Sequence, residues 1–222
     1  MGTTTWEGDV SSNWATADNW SNGLPPGQET RIVGYGTIPN PVITGTGYTA
    51  GTVYVGTAAG HGELTLAAGA ELYLTPTRDL MVGSTVGGSN SGDGVLTVNA
   101  GATITVTDDF RVACYGIADG TVNLYGTIDC HEFEIGTGSG TALIDIRDAG
   151  TLLVDGGGAT TVASIEAAVD AGEITAYGYA SYNPTDHYYL VIETIAGARI
   201  RVTAAINPAH LPAWNPDPYN GV

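Results

Sequence analysis

The chain is predicted to be all-β: a right-handed, three-sided parallel β-helix of about six or seven turns. A tryptophan-rich cap opens it and one short helix sits near its C-terminal end. Three observations predict this. A strand–glycine–strand unit recurs: GELTLAAGAELYLT (62–75), GVLTVNAGATITVT (94–107), TVNLYGTIDC (121–130), LIDIRDAGTLLVDG (143–156) and VIETIAGARIRVT (191–203). Its glycines, Gly69, Gly101, Gly126, Gly150 and Gly197, follow at spacings of 32, 25, 24 and 47 residues, the last gap spanning two periods with Gly172 between. A different strand precedes each unit: TVYVG (52–56), DLMVG (79–83), DFRVA (109–113) and EFEIG (132–136). Three short strands per period, in one register, describe turns stacked about 4.8 Å apart. A two-sheet sandwich also has short alternating strands, but not that register.

Residues 1–29 are read as the cap. Trp6, Trp14 and Trp20 fall within the first twenty residues. The first turn of a solenoid leaves core and strand edges uncovered, so the rings are expected to plug that end. Asn13, Asp18 and Asn19 are suited to closing local turns around them. The rivals are a sugar-stacking platform, or a mixed arrangement with one ring exposed.

Residues 30–206 are the β-helix proper. Alternation points Leu64, Leu66, Leu72, Leu74, Leu96, Val98, Ile104, Val106, Val122, Leu124, Ile128, Ile144, Ile146, Leu152 and Val154 inward. Val53, Val55, Leu80, Val82, Phe110, Val112, Phe133 and Ile135 do the same on the third side. Cys130 shares the inward column of Val106 and Val154; a buried thiol or a bond to Cys114 both fit. STVGGSNSGDG (84–94) is a corner insertion. TTVASIEAAVDAG (160–172) predicts a helix near 161–171, capped by Thr160 or Thr161 and ended by Gly172. Residues 207–222 read as a linker toward a further domain.

Composition bounds the partners. Six basic residues, all arginine, face twenty-three acidic ones, for a net charge of −17. That argues against nucleic acid. No apolar run approaches the length of a membrane span, so no membrane insertion is expected. No signal peptide is read at Met1-Gly2, and a monomer is expected.

Aligning the third-side strands puts Asp79, Asp109 and Glu132 in one outward column, beside Tyr54, Met81, Arg111 and Glu134. Stacked carboxylates repel unless a cation, proton or arginine intervenes. The readings are a calcium site on Asp79, Asp109 and Glu132, acid/base carboxylates for glycoside cleavage, or a solvated face neutralised by Arg78 and Arg111. Thr65, Thr97, Asn123 and Asp145 form a second outward column. It is too interrupted for an ice-binding array. A late polar stretch, YGYASYNPTDHYY, carries Tyr179, Tyr182 and Tyr188. Sugar rings stack on such side chains; packing over the C-terminal end is the alternative. No catalytic motif of nucleophile, metal or phosphate type is present.

The opening pattern Trp6-x-Gly8, Trp14, Asn19-Trp20, Leu24-Pro25 resembles the N-terminal motif of many secreted bacterial β-helix proteins. VNLYGTIDC and AGEITAYG are similar to repeats in large extracellular proteins of polysaccharide-degrading bacteria, planctomycete-like ones especially. PAWNPDPYNGV (212–222) resembles the linkers there. The resemblance implies an exported module of a longer secreted or cell-surface chain, and it carries over no catalytic residue. Some carbohydrate-binding modules share the implied fold. The expected function is non-catalytic binding of a plant or algal polysaccharide, with Tyr179, Tyr182, Tyr188, Tyr54 and Arg111 as ligand-binding candidates. The alternatives are a structural or adhesive segment, and a small hydrolase or lyase using the Asp79/Asp109/Glu132 face.

Overall fold

A computed structural model describes residues 2–25, 27, 29–34, 38–57, 60–83, 92–156 and 159–210 of the chain. Strand β1 (Thr3–Thr5) precedes the stack. Turn one holds β2 (Glu29–Ile32), β3 (Val42–Ile43) and β4 (Tyr48–Ala50). Turn two holds β5 (Val53–Val55), β6 (Gly62–Leu66) and β7 (Glu71–Leu74). Turn three holds β8 (Leu80–Val82), β9 (Gly94–Val98) and the first half of β10 (Thr103–Val112). The rest of β10 opens turn four, with β11 (Gly120–Leu124) and the first half of β12 (Thr127–Ile135). The rest of β12 opens turn five, with β13 (Ala142–Ile146) and β14 (Thr151–Val154). Helix α1 (Val162–Asp170) and strands β15 (Ile174–Ala176), β16 (Tyr188–Ile195) and β17 (Arg199–Ile206) follow.

The result is a β-solenoid of about five turns, not six or seven. Its first face is the six-stranded parallel sheet β15-β13-β11-β9-β6-β3. The second stacks β4, β7, the first halves of β10 and β12, and β14. The third stacks β1, β2, β5, β8 and the second halves of β10 and β12. β10 and β12 run unbroken around one corner, so the second and third faces form one sheet. A register shift between Val106 and Asp109 supplies the bend there.

Parallel pairing in constant register lays like side chains over one another. Leu64, Leu96, Val122 and Ile144 are aligned rung by rung on the first face. The predicted inward residues are buried, with one exception: Ile135, at the C-terminal edge of the third face, is only half-buried. Each fully buried aliphatic side chain contributes about 1.5–3 kcal/mol. The turn from the third face to the first is tight. Gly83 takes φ +63°, and a Cβ there would lie 2.2 Å from the Asp119 carbonyl oxygen of the next rung. Both cysteines are free and buried, and burial raises both thiols, so they stay protonated and inert. The bond to Cys114 is not made.

The N-terminal end is plugged as predicted. Trp6, Trp14 and Trp20 are 2%, 2% and 4% exposed. Trp20 meets Trp6 and Trp14 edge to face, with centroids 4.9 and 4.7 Å apart. Two of the buried indole N–H groups find carbonyl acceptors: Trp6 donates to that of Pro39 (2.7 Å) and Trp20 to that of Trp14 (2.9 Å). The buried Asn19 amide ties the cap loop. It accepts from the N–H groups of Val10 and Ser11 and donates to the Ser11 hydroxyl and the Asn13 carbonyl. β1 pairs in parallel with β2, so the cap is continuous with the third face.

The C-terminal end departs from expectation. Residues 191–203 form no parallel turn. β16 and β17 make an antiparallel hairpin, and β17 pairs antiparallel with β14. The cause is local. Gly69 and Gly101 are single left-handed residues at corners, whereas Gly197 (φ 82°) and Ala198 (φ 62°) are two in succession, which reverses the chain. α1 starts at Thr161, whose hydroxyl accepts from the Ser164 N–H while the Ser164 hydroxyl accepts from the Thr161 N–H. Pro208–His210 form a short 3-10 turn. The rest of the expected linker, from 211 onward, and residues 84–91 of the corner insertion lie outside the described residues.

Candidate functional site

The late tyrosines gather at the C-terminal end, but not on one surface. β15 ends at Ala176, and Tyr177 (φ 52°) and Gly178 (φ 81°) then turn the chain back so that Tyr179 bridges Ala176. Asp145 on β13 holds this turn. Its Oδ1 accepts from the Gly178 N–H (2.7 Å) and the Thr175 hydroxyl (2.9 Å), and its Oδ2 accepts from Arg147 Nε (2.6 Å). The Tyr177 hydroxyl donates to Asp148 Oδ1 (3.0 Å) and accepts from the Asp148 N–H (2.9 Å).

Tyr188 is the centre of a ring stack. Tyr177, Tyr179 and His187 lie 4.6, 5.4 and 4.1 Å from it, and His210 stacks on His187 at 5.5 Å. Tyr179, Ser181, Asp186, His187, Tyr188 and His210 line a cleft of about 350 Å³. Its rim is locked by polar contacts. The Ser181 hydroxyl donates to Asp186, the Leu190 N–H to the Ser181 carbonyl, and Asn207 to the carbonyls of Pro184 and His187. Tyr179 is 57% exposed and presents an open ring, whereas Tyr188 is half-buried by its neighbours. Tyr182, 45% exposed, lies apart, in a cleft with Glu166, Pro184 and Tyr189. The negative charge of Asp170 holds its phenol above the usual range.

The acidic column stands on the third face as registered in the sequence. Asp109 pairs with Glu132, and Tyr54, Met81, Arg111 and Glu134 form the adjoining row. Arg111 occupies it. Its guanidinium bonds Asp79 (3.0 Å), Asp109 and Glu134 (2.9 Å), and its cation lies 5.9 Å from the Tyr115 ring centroid. Burial alone would lower Arg111, but Glu134, Asp109 and Asp79 hold it above its ordinary value. Burial raises Asp79 and Asp109 against the pull of Arg111. Burial also raises Tyr54, with Glu29 and Asp79 adding to the effect.

The carboxylates able to meet at one point are Asp79, Asp108 and Asp109, with one oxygen from each within 4.8 Å. Asp108 joins because the bulge after Val106 moves it onto the face; Glu132 stands opposite Asp109. Arg111 already supplies a counter-charge to Asp79 and Asp109.

Sequence reasoning missed His187 and His210 as site residues, and placed Tyr177 among the clustered late aromatics without giving it a role. Asp145 was legible only as one rung of an outward column. Its role depends on the Gly178 N–H one turn later. No protein-family model, curated protein or solved structure matches the chain.

Proposed function

We propose that the protein is a non-catalytic carbohydrate-binding module, acting outside the cell within a longer chain, that takes a neutral plant or algal polysaccharide at the Tyr179–Tyr188–His187 cleft. The observation that carries this reading is the open Tyr179 ring, fixed through Asp145 beside the polar wall of Ser181 and Asp186. A sugar ring stacks its C–H face on tyrosine while hydroxyls and a carboxylate hold its own hydroxyls. Tyr188 and His187 extend the aromatic floor. Tyr182 and Tyr54 drop out of the site, the first by its separate cleft and the second by its place on the third face. Arg111 serves the acidic row and not a ligand.

Affinity gels with xylan, mixed-linkage glucan, mannan and laminarin test this. Retardation by at least one glycan is expected. Tyr179→Ala should weaken it by about 1–3 kcal/mol, by analogy with stacking on nucleobases. Stacking tolerates salt, so binding should persist at high ionic strength. Absence of retardation on all four, or an unaffected Tyr179→Ala variant, would favour a structural segment.

A further inference from the structure

Among the described residues, the third face stacks six strands and then stops. Gly136 N–H donates to the Val112 carbonyl (3.0 Å), so residues 134 and 136 turn their backbone groups toward β10. Alternation turns those of Phe133 and Ile135 the other way. The Thr160 hydroxyl satisfies both groups of Phe133, accepting from its N–H and donating to its carbonyl at 3.0 Å each. The N–H and C=O of Ile135 have no hydrogen-bond partner among the described residues. They border a cleft of about 360 Å³ between β12 and α1, where the next strand of the stack would lie.

The lining is one-sided in its chemistry. Phe133, Ile135, Ala167 and Ala168 are apolar. The Ser164, Thr160 and Thr137 hydroxyls are spent on the helix cap, on Phe133 and on the Cys114 carbonyl. Two carboxylates remain. Glu134 gives one oxygen to Arg111. Glu173 lies against Gly136, where a Cβ would come within 1.9 Å of its Oε1, and its carboxylate has no hydrogen bond or ion pair among the described residues. Burial raises Glu173 above its ordinary value.

We propose that this cleft docks an extended polypeptide segment bearing a basic side chain. The segment's backbone pairs with Ile135 in the vacant strand position, as in other strand additions to a sheet edge. Its arginine or lysine head meets Glu173 and Glu134, and the aliphatic stem lies on Phe133 and the two alanines. Charge complementarity selects the occupant. The chain's own residues 211–222 contain no lysine or arginine, and a second copy brings a net charge of −17 to an acidic cleft. The site lies apart from the tyrosine cleft and does not rest on sugar binding.

An NMR titration of the isotope-labelled protein with acetyl-Thr-Val-Arg-Val-Thr-amide tests this, with a peptide carrying Gln in place of Arg as control. Saturable shifts are expected for the Arg peptide alone, with the Ile135 amide among the largest. Glu173→Gln should weaken binding about tenfold or more, while its melting temperature stays at or above that of the parent. Equal binding by Glu173→Gln, equal binding of both peptides, or an unmoved Ile135 amide would overturn the proposal. So would a chitosan tetramer that shifts these amides when the peptide does not.

Discussion

At the N-terminal end three indole rings are driven inside, edge to face, and no ring of that cluster is left to water. At the C-terminal end the chain closes the stack with a reversed hairpin, a capped helix and one threonine hydroxyl, and its tyrosine rings are only half-buried or, at Tyr179 and Tyr182, exposed. Both ends face the same problem: a terminal rung with bare backbone and bare core. Packing solves it by excluding water. Folding back solves it by satisfying hydrogen bonds, and leaves gaps between the closing elements. Clefts of about 360, 350 and 250 Å³ lie at that second end, between the pieces of the closure, whereas the cleft beside Trp14 at the first end is smaller, about 160 Å³.

The contrast is sharpest in stability. Trp20→Ala removes the ring that both other indoles contact and should cost about 3–5 kcal/mol, read from denaturant or thermal unfolding. An effect below about 1 kcal/mol would mean the plug is dispensable. Thr160→Val should cost less, about 1–3 kcal/mol, because it strands the two backbone groups of Phe133 without opening a cavity. If Thr160→Val proved the more damaging, the two closures would have to be ranked the other way.

Asp145→Asn tests whether the C-terminal closure also builds the sugar site. The amide keeps one acceptor oxygen but loses the charge that Arg147 and the Gly178 N–H share. Glycan affinity should fall by about 1–2 kcal/mol, with Tyr179 fluorescence or NMR reporting a loosened ring. Unchanged affinity would detach the turn from the site.

The smallest effects concern charge. Glu173 is raised by burial, so folding favours its protonated form. Its ionisation therefore costs stability, and that cost grows as pH rises from the ordinary glutamate value through the higher folded one. Glu173→Gln should be at least as stable as the parent at pH 7 and show no advantage near pH 3; thermal melts across that range check it. Millimolar calcium should leave the melting temperature unchanged, because Arg111 already neutralises Asp79 and Asp109. A clear rise would reinstate a metal on the acidic face.

Much of this was legible in the sequence because a solenoid writes its contacts at fixed spacing. The columns Leu64–Leu96–Val122–Ile144 and Asp109–Glu132 follow from aligning repeats alone. Three things were not legible. The unit at 191–203 has the same strand–AGA–strand pattern as the corners, and it differs only in the left-handed Ala198, a choice that no residue type announces. Asp108 entered the acidic group through a bulge that breaks the alternation used to find its neighbours. The tyrosines shared one polar stretch, yet the Tyr177–Gly178 turn and the Ser181–Asp186 loop sent Tyr179 and Tyr182 to different clefts.

The reversed hairpin has one more consequence, for polymer growth. A stack of parallel rungs has a head and a tail that match, so copies can add end to end without limit, as in a fibre. β17 lays an antiparallel strand on β14, and β16 lies beyond it as the edge. The leading parallel strand of another copy then meets a surface of the wrong polarity across the whole second face. The hairpin acts as a chain terminator on that face, and among the described residues it leaves the Ile135 position as the remnant of a growing end.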